Sequence, residues 1–265
     1  MKKTALTALL LCAGMALTGC SSSSQSSSTT STASETASST ATAADPAAKS
    51  EGVMTYEVYV DADLETEVTI EAYVQAKQSW WEDKATIYAE DPDGAYFIYN
   101  ANVSEDLYNE LSDGAKIKVK GFKTEWSGEV EIAEGAEVEV IEGETWKATP
   151  VDVTDLLGNE EELIKHQNQL VDFKGLTVEP AAEGSDAAYL YNYDGSGEEG
   201  DDLYFNVSKD GNTYTFVVES YLTNQDTDVY KTVKNLKVGD VIDCEGFLYW
   251  YEGANPHIIS VTVVE

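Results

Sequence analysis

The strongest constraint on this chain is that part of its sequence occurs twice. The stretch Gly114-Ala-Lys-Ile-Lys-Val-Lys-Gly121-Phe122 runs parallel to Gly239-Asp-Val-Ile-Asp-Cys-Glu-Gly246-Phe247. Four residues beyond each Phe stands an aromatic, Trp126 or Tyr251, followed by Gly128 or Gly253, and the offset between copies stays at 125. Val68-Thr-Ile-Glu-Ala72 likewise matches Val171-Asp-Phe-Lys-Gly175 at the smaller offset of 103. The second copy therefore carries extra residues between its matching parts, and the Gly-rich acidic stretch 194–202 is an obvious place for some of them. Self-similarity of this kind marks duplication of one folding unit, and any architecture has to be built from that unit twice.

Within each copy the apolar residues alternate. Val68, Ile70, Ala72 and Val74 do so, as do Ile117 with Val119 and Val130 with Ile132, which is the period of a half-buried strand. A short helix is expected between the third and fourth strands. In copy one it covers Ser104 to Leu111, with Ser104 as N-cap and Glu105 and Asp106 in the first turn. In copy two it covers about Asp226 to Leu236. A connecting helix is expected near Thr154 to His166. The fold class read from this pattern is all-β with short helices, in two tandem five-stranded barrels. The expected domains are 53–145 and 168–265, joined by a linker at 146–167.

Three strands, a helix and two strands is the order of the OB-fold. The segments around Val171–Gly175 and Val119–Phe122 resemble the first and fourth strands of OB-fold domains grouped as nucleic-acid-binding-like. That resemblance implies the barrel and a binding surface across strands two and three.

The N-terminus carries a different signature. Lys2 and Lys3 precede a short apolar run from Ala5 to Ala16, too short to span a bilayer and suited to a signal-peptide core. Leu17-Thr18-Gly19-Cys20 then resembles the bacterial lipoprotein box. The resemblance implies removal of residues 1–19, lipidation of Cys20, and display on the outer face of the cytoplasmic membrane, or at the outer membrane of a two-membrane host. Residues 21–50 are almost all Ser, Thr and Ala and have nothing large to bury, so 20–52 reads as the lipidated Cys and a disordered stalk. A coil of that length reaches about 30 Å. The expected role is a membrane-anchored, non-catalytic binding module of the cell envelope.

Charge narrows the partners. Acidic residues outnumber basic ones 49 to 16, arginine is absent, and the net charge is −33. Nucleic-acid binders neutralise phosphate with Lys and Arg, so nucleic acid is not an expected partner. A glycan or an envelope protein is, and an accessory or scaffold subunit of an envelope complex is the alternative role. Nucleic-acid binding by analogy of fold would need Lys116, Lys118, Lys120 and Lys123 to form a basic track. Because 116, 118 and 120 alternate, they read instead as one solvated strand face.

Three candidate sites follow. Trp80, Trp81, Tyr99, Trp126, Trp250 and Tyr251 are the candidate ligand-binding aromatics. Adjacent residues of a strand face opposite sides, so one member of Trp80-Trp81 and one of Trp250-Tyr251 is expected outside. Asp194, Glu198, Asp201 and Asp202 could offer oxygens to calcium, although the spacing is not that of an EF-hand and solvated acidic turns such as 91–94 are expected in so acidic a chain. No cofactor is otherwise expected. His166 and His257 are the only histidines, and no nucleophile elbow, paired-His motif or phosphate loop accompanies them, so no catalytic residue is nominated. Cys244, in an alternating stretch, reads as an inert buried thiol.

Overall fold

A computed structural model describes residues 45–264 of the chain. The signal segment, Cys20 and most of the stalk lie outside the described residues. The first barrel begins with helix α1 (Tyr56–Asp61) and contains strands β1 (Glu67–Lys77), β2 (Lys84–Asp91) and β3 (Gly94–Asn102). Helix α2 (Glu105–Glu110) follows, capped by the Ser104 hydroxyl, and then β4 (Ala115–Trp126), β5 (Glu129–Ile132) and β6 (Glu137–Thr145). Strands β1-β2-β3-β5-β4 close into a ring through the β1–β4 pairing, with β3 and β5 parallel and β6 added along β4. Val68, Ile70, Ile87, Tyr96, Ile98, Ile117, Val119 and Ile132 fill its interior.

The connection is not the continuous helix expected over 154–166. Strand β7 (Val151–Asp152) precedes a 3-10 turn at Thr154–Leu156, helix α3 (Glu160–Leu163) and a second 3-10 turn at Ile164–His166. The break falls at Leu157, which is extended, and at Gly158, whose φ of 87° lies in the left-handed region that ends helices.

The second barrel repeats the first. It contains β8 (Leu170–Glu179), β9 (Tyr189–Tyr191), β10 (Leu203–Lys209) and β11 (Asn212–Val218), then helix α4 (Asp228–Asn235), β12 (Val241–Phe247) and β13 (His257–Val263). Here β8-β10-β11-β13-β12 close the ring, with β11 and β13 parallel, around Phe173, Phe205, Phe216, Tyr230 and Ile242. The additional length of copy two lies at 180–202, where copy one has only the turn 78–83; the inserted β9 pairs with the edge of β10. Cys244 is buried in this core, and burial holds its thiol far above its ordinary range.

The repeated Gly121 and Gly246 have a shared physical reason. A Cβ on Gly121 would lie 2.6 Å from the Ile132 side chain, and one on Gly246 would lie 2.4 Å from the His257 backbone carbonyl. Strands four and five therefore approach too closely for any side chain at the point where each barrel bends.

Two charged positions expected in solvent are buried. Lys116 pairs with Glu144 at 2.7 Å and Glu71 at 3.6 Å, while Lys123 donates to the Tyr59, Val60 and Ala62 carbonyls at the end of α1. Lys120 stays outside, paired with Glu67. The alternation along β4 was read correctly, but the outer face near Lys116 is roofed by the segment at Ala48 and by the Glu144 side chain of β6. Similarly, Asp91 in the β2–β3 turn is not solvated: it accepts from the Asp93 and Gly94 amides and the Tyr96 hydroxyl, and is paired with Lys49.

Gly246→Ala should destabilise the chain by about 1–3 kcal/mol in urea titration, more than Gly121→Ala. The first clash is with fixed backbone, the second with movable side chains.

Candidate functional site

The two barrels are joined by packing as well as by the chain. Tyr88 of β2 stacks on Phe247 with ring centroids 4.5 Å apart, and Phe97 of β3 meets Tyr249 edge-on at 5.1 Å. Both are on the outer face of strands two and three, so the face that OB barrels use for ligands is here turned toward the partner barrel. Main-chain bonds lock the contact: Ser79 N–H donates to the Tyr221 carbonyl at 2.8 Å, and Glu252 N–H to the Ser127 carbonyl at 2.8 Å. The second bond joins two equivalent turns, Trp126-Ser-Gly128 of copy one and Tyr251-Glu-Gly253 of copy two.

Buried polar groups complete the junction. Glu129 is fully buried, and its Oε2 accepts from the Trp250 N–H at 2.9 Å and the Gln167 amide at 3.2 Å. Its Oε1 has no partner among the described residues, which suits a protonated acid, and burial pushes its pKa up to about 8. Glu90 accepts the Leu170 N–H at 3.0 Å, and burial raises it to about 7. His257 is stacked on Tyr249 at 4.3 Å and lies 2.6 Å from the Tyr88 hydroxyl through Nδ1. Burial pushes the imidazole down to about 3, so it is neutral, and it shares a hydrogen bond through Nδ1 with the Tyr88 hydroxyl, which its own burial keeps protonated. His166 is elsewhere, on the linker, bonded to Gln169 at 2.7 Å.

Above this junction the barrels diverge, leaving a cleft of about 1160 Å³. Copy one supplies Gln78, Trp81, Thr86, Phe97, Tyr99, Asn100, Trp126 and Glu131, and copy two supplies Tyr193, Tyr204, Glu219, Tyr221, Tyr249, Tyr251, Asn255 and His257. Six of the rings are well exposed: Trp81 70%, Tyr99 41%, Trp126 61%, Tyr193 78%, Tyr221 66% and Tyr251 52%. So much solvated aromatic surface in one concavity goes beyond the scattered apolar residues of an ordinary surface. Burial raises Glu131 and Glu219 to about 7 each. Glu219 is held by Gln78 and by the amides of Tyr221 and Leu222.

Four of the six aromatics singled out from the sequence, Trp81, Tyr99, Trp126 and Tyr251, converge on this cleft. The other two turn inward. The Trp80 indole donates to the Val103 carbonyl at 2.7 Å, and Trp250 is buried against Gly128, where a Cβ would lie 2.8 Å from its ring. Each adjacent pair is thus split, Trp81 and Tyr251 exposed and Trp80 half-buried and Trp250 buried, but both pairs lie in loops just beyond β1 and β12, so the loop conformation and not strand alternation makes the split. Sequence reasoning missed Tyr221, Tyr249, Glu131 and Glu219. Their common signal, a position on or beside the outer face of strands three and five in either copy, becomes visible only once strand register is known.

The acidic residues considered for calcium are not gathered. Asp194 caps Ser196 at 3.0 Å, Asp201 accepts from the Glu198 amide at 2.9 Å, and Asp202 holds Ser220 at 2.8 Å. Among the described residues no group of three or more metal-ligating side chains comes together.

No family model and no curated protein matches the chain. Solved structures that are similar to it include the tetrameric p202 HIN2 domain (13% identity, TM-score 0.31, 77% of this chain and 96% of that one). A murine DNA-binding protein bound with double-stranded DNA is similar at 11% identity and TM-score 0.34, over 74% of this chain and 96% of that one. A replication protein A heterotrimer bound to single-stranded DNA is similar at 13% identity and TM-score 0.30, over 74% of this chain and 49% of that one. The expectation that nucleic acid is not a partner is corrected by these findings. Structures similar to this chain are seen on DNA, and net charge summed over a chain does not describe the surface of one cleft.

The raised carboxyls give the junction a pH dependence with a defined sign. A group whose pKa is raised in the folded state binds its proton more tightly there, so stability is full below about pH 4.5 and is lost as pH rises toward 8. Thermal melts should therefore show Tm falling between pH 5 and pH 8. Glu129→Gln should flatten that slope, leaving the variant more stable than the parent at pH 8 by about 1–3 kcal/mol.

Proposed function

We infer that the chain is a non-catalytic binding module that captures a glycan in the cleft between its barrels. The observation that carries this reading is the convergence of six exposed aromatic rings, drawn from both copies, on one concave surface with amide groups beside them. Sugar rings present flat C–H faces that lie on aromatic rings and a rim of hydroxyls that need polar partners. Gln78, Asn100 and Asn255 supply amides, and Glu219, already positioned by backbone bonds, supplies a fixed acceptor. The rigid junction beneath holds both walls in place before the ligand arrives, which lowers the ordering cost of binding.

The reading places this module outside the cytoplasm, tethered through lipidated Cys20 and the Ser/Thr/Ala-rich segment that follows it. The lipoprotein-like sequence Leu17-Thr18-Gly19-Cys20 supports that placement. The lipid would fix location, the stalk would give reach, and the cleft would hold envelope polysaccharide near the membrane.

Calorimetric titration with a panel of cell-wall and capsular oligosaccharides tests the cleft. Trp126→Ala and Trp81→Ala should each weaken binding by about 2 kcal/mol, roughly 30-fold. Trp80→Ala, which alters a ring outside the cleft, should leave affinity unchanged. A single-stranded oligodeoxynucleotide that binds better than every sugar and is lost in Trp126→Ala would reassign the cleft to nucleic acid. Separately, Cys20→Ala should abolish incorporation of labelled fatty acid and move the protein from the membrane to the soluble fraction.

A further inference from the structure

Within the cleft one side chain has no task in the protein itself. Glu131 is 7% exposed, and among the described residues its carboxylate has neither a hydrogen-bond partner nor an ion pair. It lies on β5 two residues from Glu129, on the face turned to the second barrel, and opens into the cleft. The charged groups around it do not satisfy it. Glu129 and Glu219 have the same sign, the Lys84 ammonium in the cleft wall is paired with Glu134, and Lys123 on the neighbouring strand caps α1. Its oxygens reach the cleft and are not sealed in the interior, so without a ligand their partner is water, which a charged group can displace.

We propose that the glycan bound here carries an unacetylated amino sugar, and that its ring ammonium is the missing partner of Glu131. This rests on the glycan reading of the cleft. A hydroxyl would offer the carboxylate only a neutral hydrogen bond, whereas an ammonium offers a charge-assisted one. Tyr99, Trp126, Tyr249 and Tyr251 line the same cleft, and aromatic rings favour a cation. Burial raises the pKa of Glu131 to about 7, so an arriving ammonium would draw the group into its ionised form.

Titration of the full-length chain with two defined tetramers, one of glucosamine and one of N-acetylglucosamine, tests this. The glucosamine tetramer should bind about 10-fold tighter, the fold-change of one charge-assisted hydrogen bond. Glu131→Gln should remove that preference, with an unchanged circular-dichroism spectrum showing that the variant is folded. Equal affinity of the two tetramers, or a preference that persists in Glu131→Gln, would overturn the proposal and leave the glycan reading intact. If neither tetramer nor any oligosaccharide of the panel binds, the glycan reading fails and takes the proposal with it. Binding of a lysine-containing pentapeptide through Glu131, with no sugar bound, would overturn it in favour of a peptide amine.

Discussion

Everything above the cleft floor depends on the angle between the barrels, and that angle is held by a small dry junction. The Tyr88–Phe247 stack supplies apolar contact, and the Phe97–Tyr249 and Tyr249–His257 contacts extend it toward the cleft. Hydrophobic contact alone is not directional. Direction comes from bonds that cannot slide: Ser79 to Tyr221, Glu252 to Ser127, and the buried Glu129 carboxyl receiving Trp250 and Gln167. A rotation large enough to splay the walls would strand several of these groups without water, at a cost of about 1–3 kcal/mol for each.

Acidity acts on this chain in two opposite ways. On the outside, carboxylates leave most lysines already engaged, as at Lys120 with Glu67 and Lys174 with Asp172. At the junction and cleft, acids sit where water is scarce and hold their protons near neutrality, as Glu90 and Glu129 do. These groups behave more like neutral hydrogen-bonding amides than like charges. Composition counts both populations alike, which is why a net charge is a poor guide to the chemistry of an individual concavity.

Much of the fold was legible because it is written in period and repetition. Alternation along 68–74 and 117–119 located strands, and the paired Gly121 and Gly246 marked the bends, since a side chain at either site would collide with the next strand. The helix capped by Ser104 is where its capping pattern placed it. The connecting helix was misread because Gly158 interrupts an apolar spacing that otherwise looks helical. The site was half legible. The expectation that one member of each aromatic pair is outside held, although the pairs lie in loops beyond β1 and β12, but nothing local tells Glu131 apart from the other acids. Its isolation is a property of three strands and a second barrel meeting around it, and Lys116 was misjudged for the same reason.

The contact between Ser127 and Glu252 joins turns that occupy the same position in each copy. One barrel alone would bear a single such turn, with its aromatic facing open water and no opposing wall. The recess between the rings therefore exists only because two copies stand side by side: it is a property of adjacency and of neither barrel alone. The longer segment at 180–202, which carries Tyr193, adds a wing to one side of that hollow while the barrel that supports it keeps the same strand order as its neighbour.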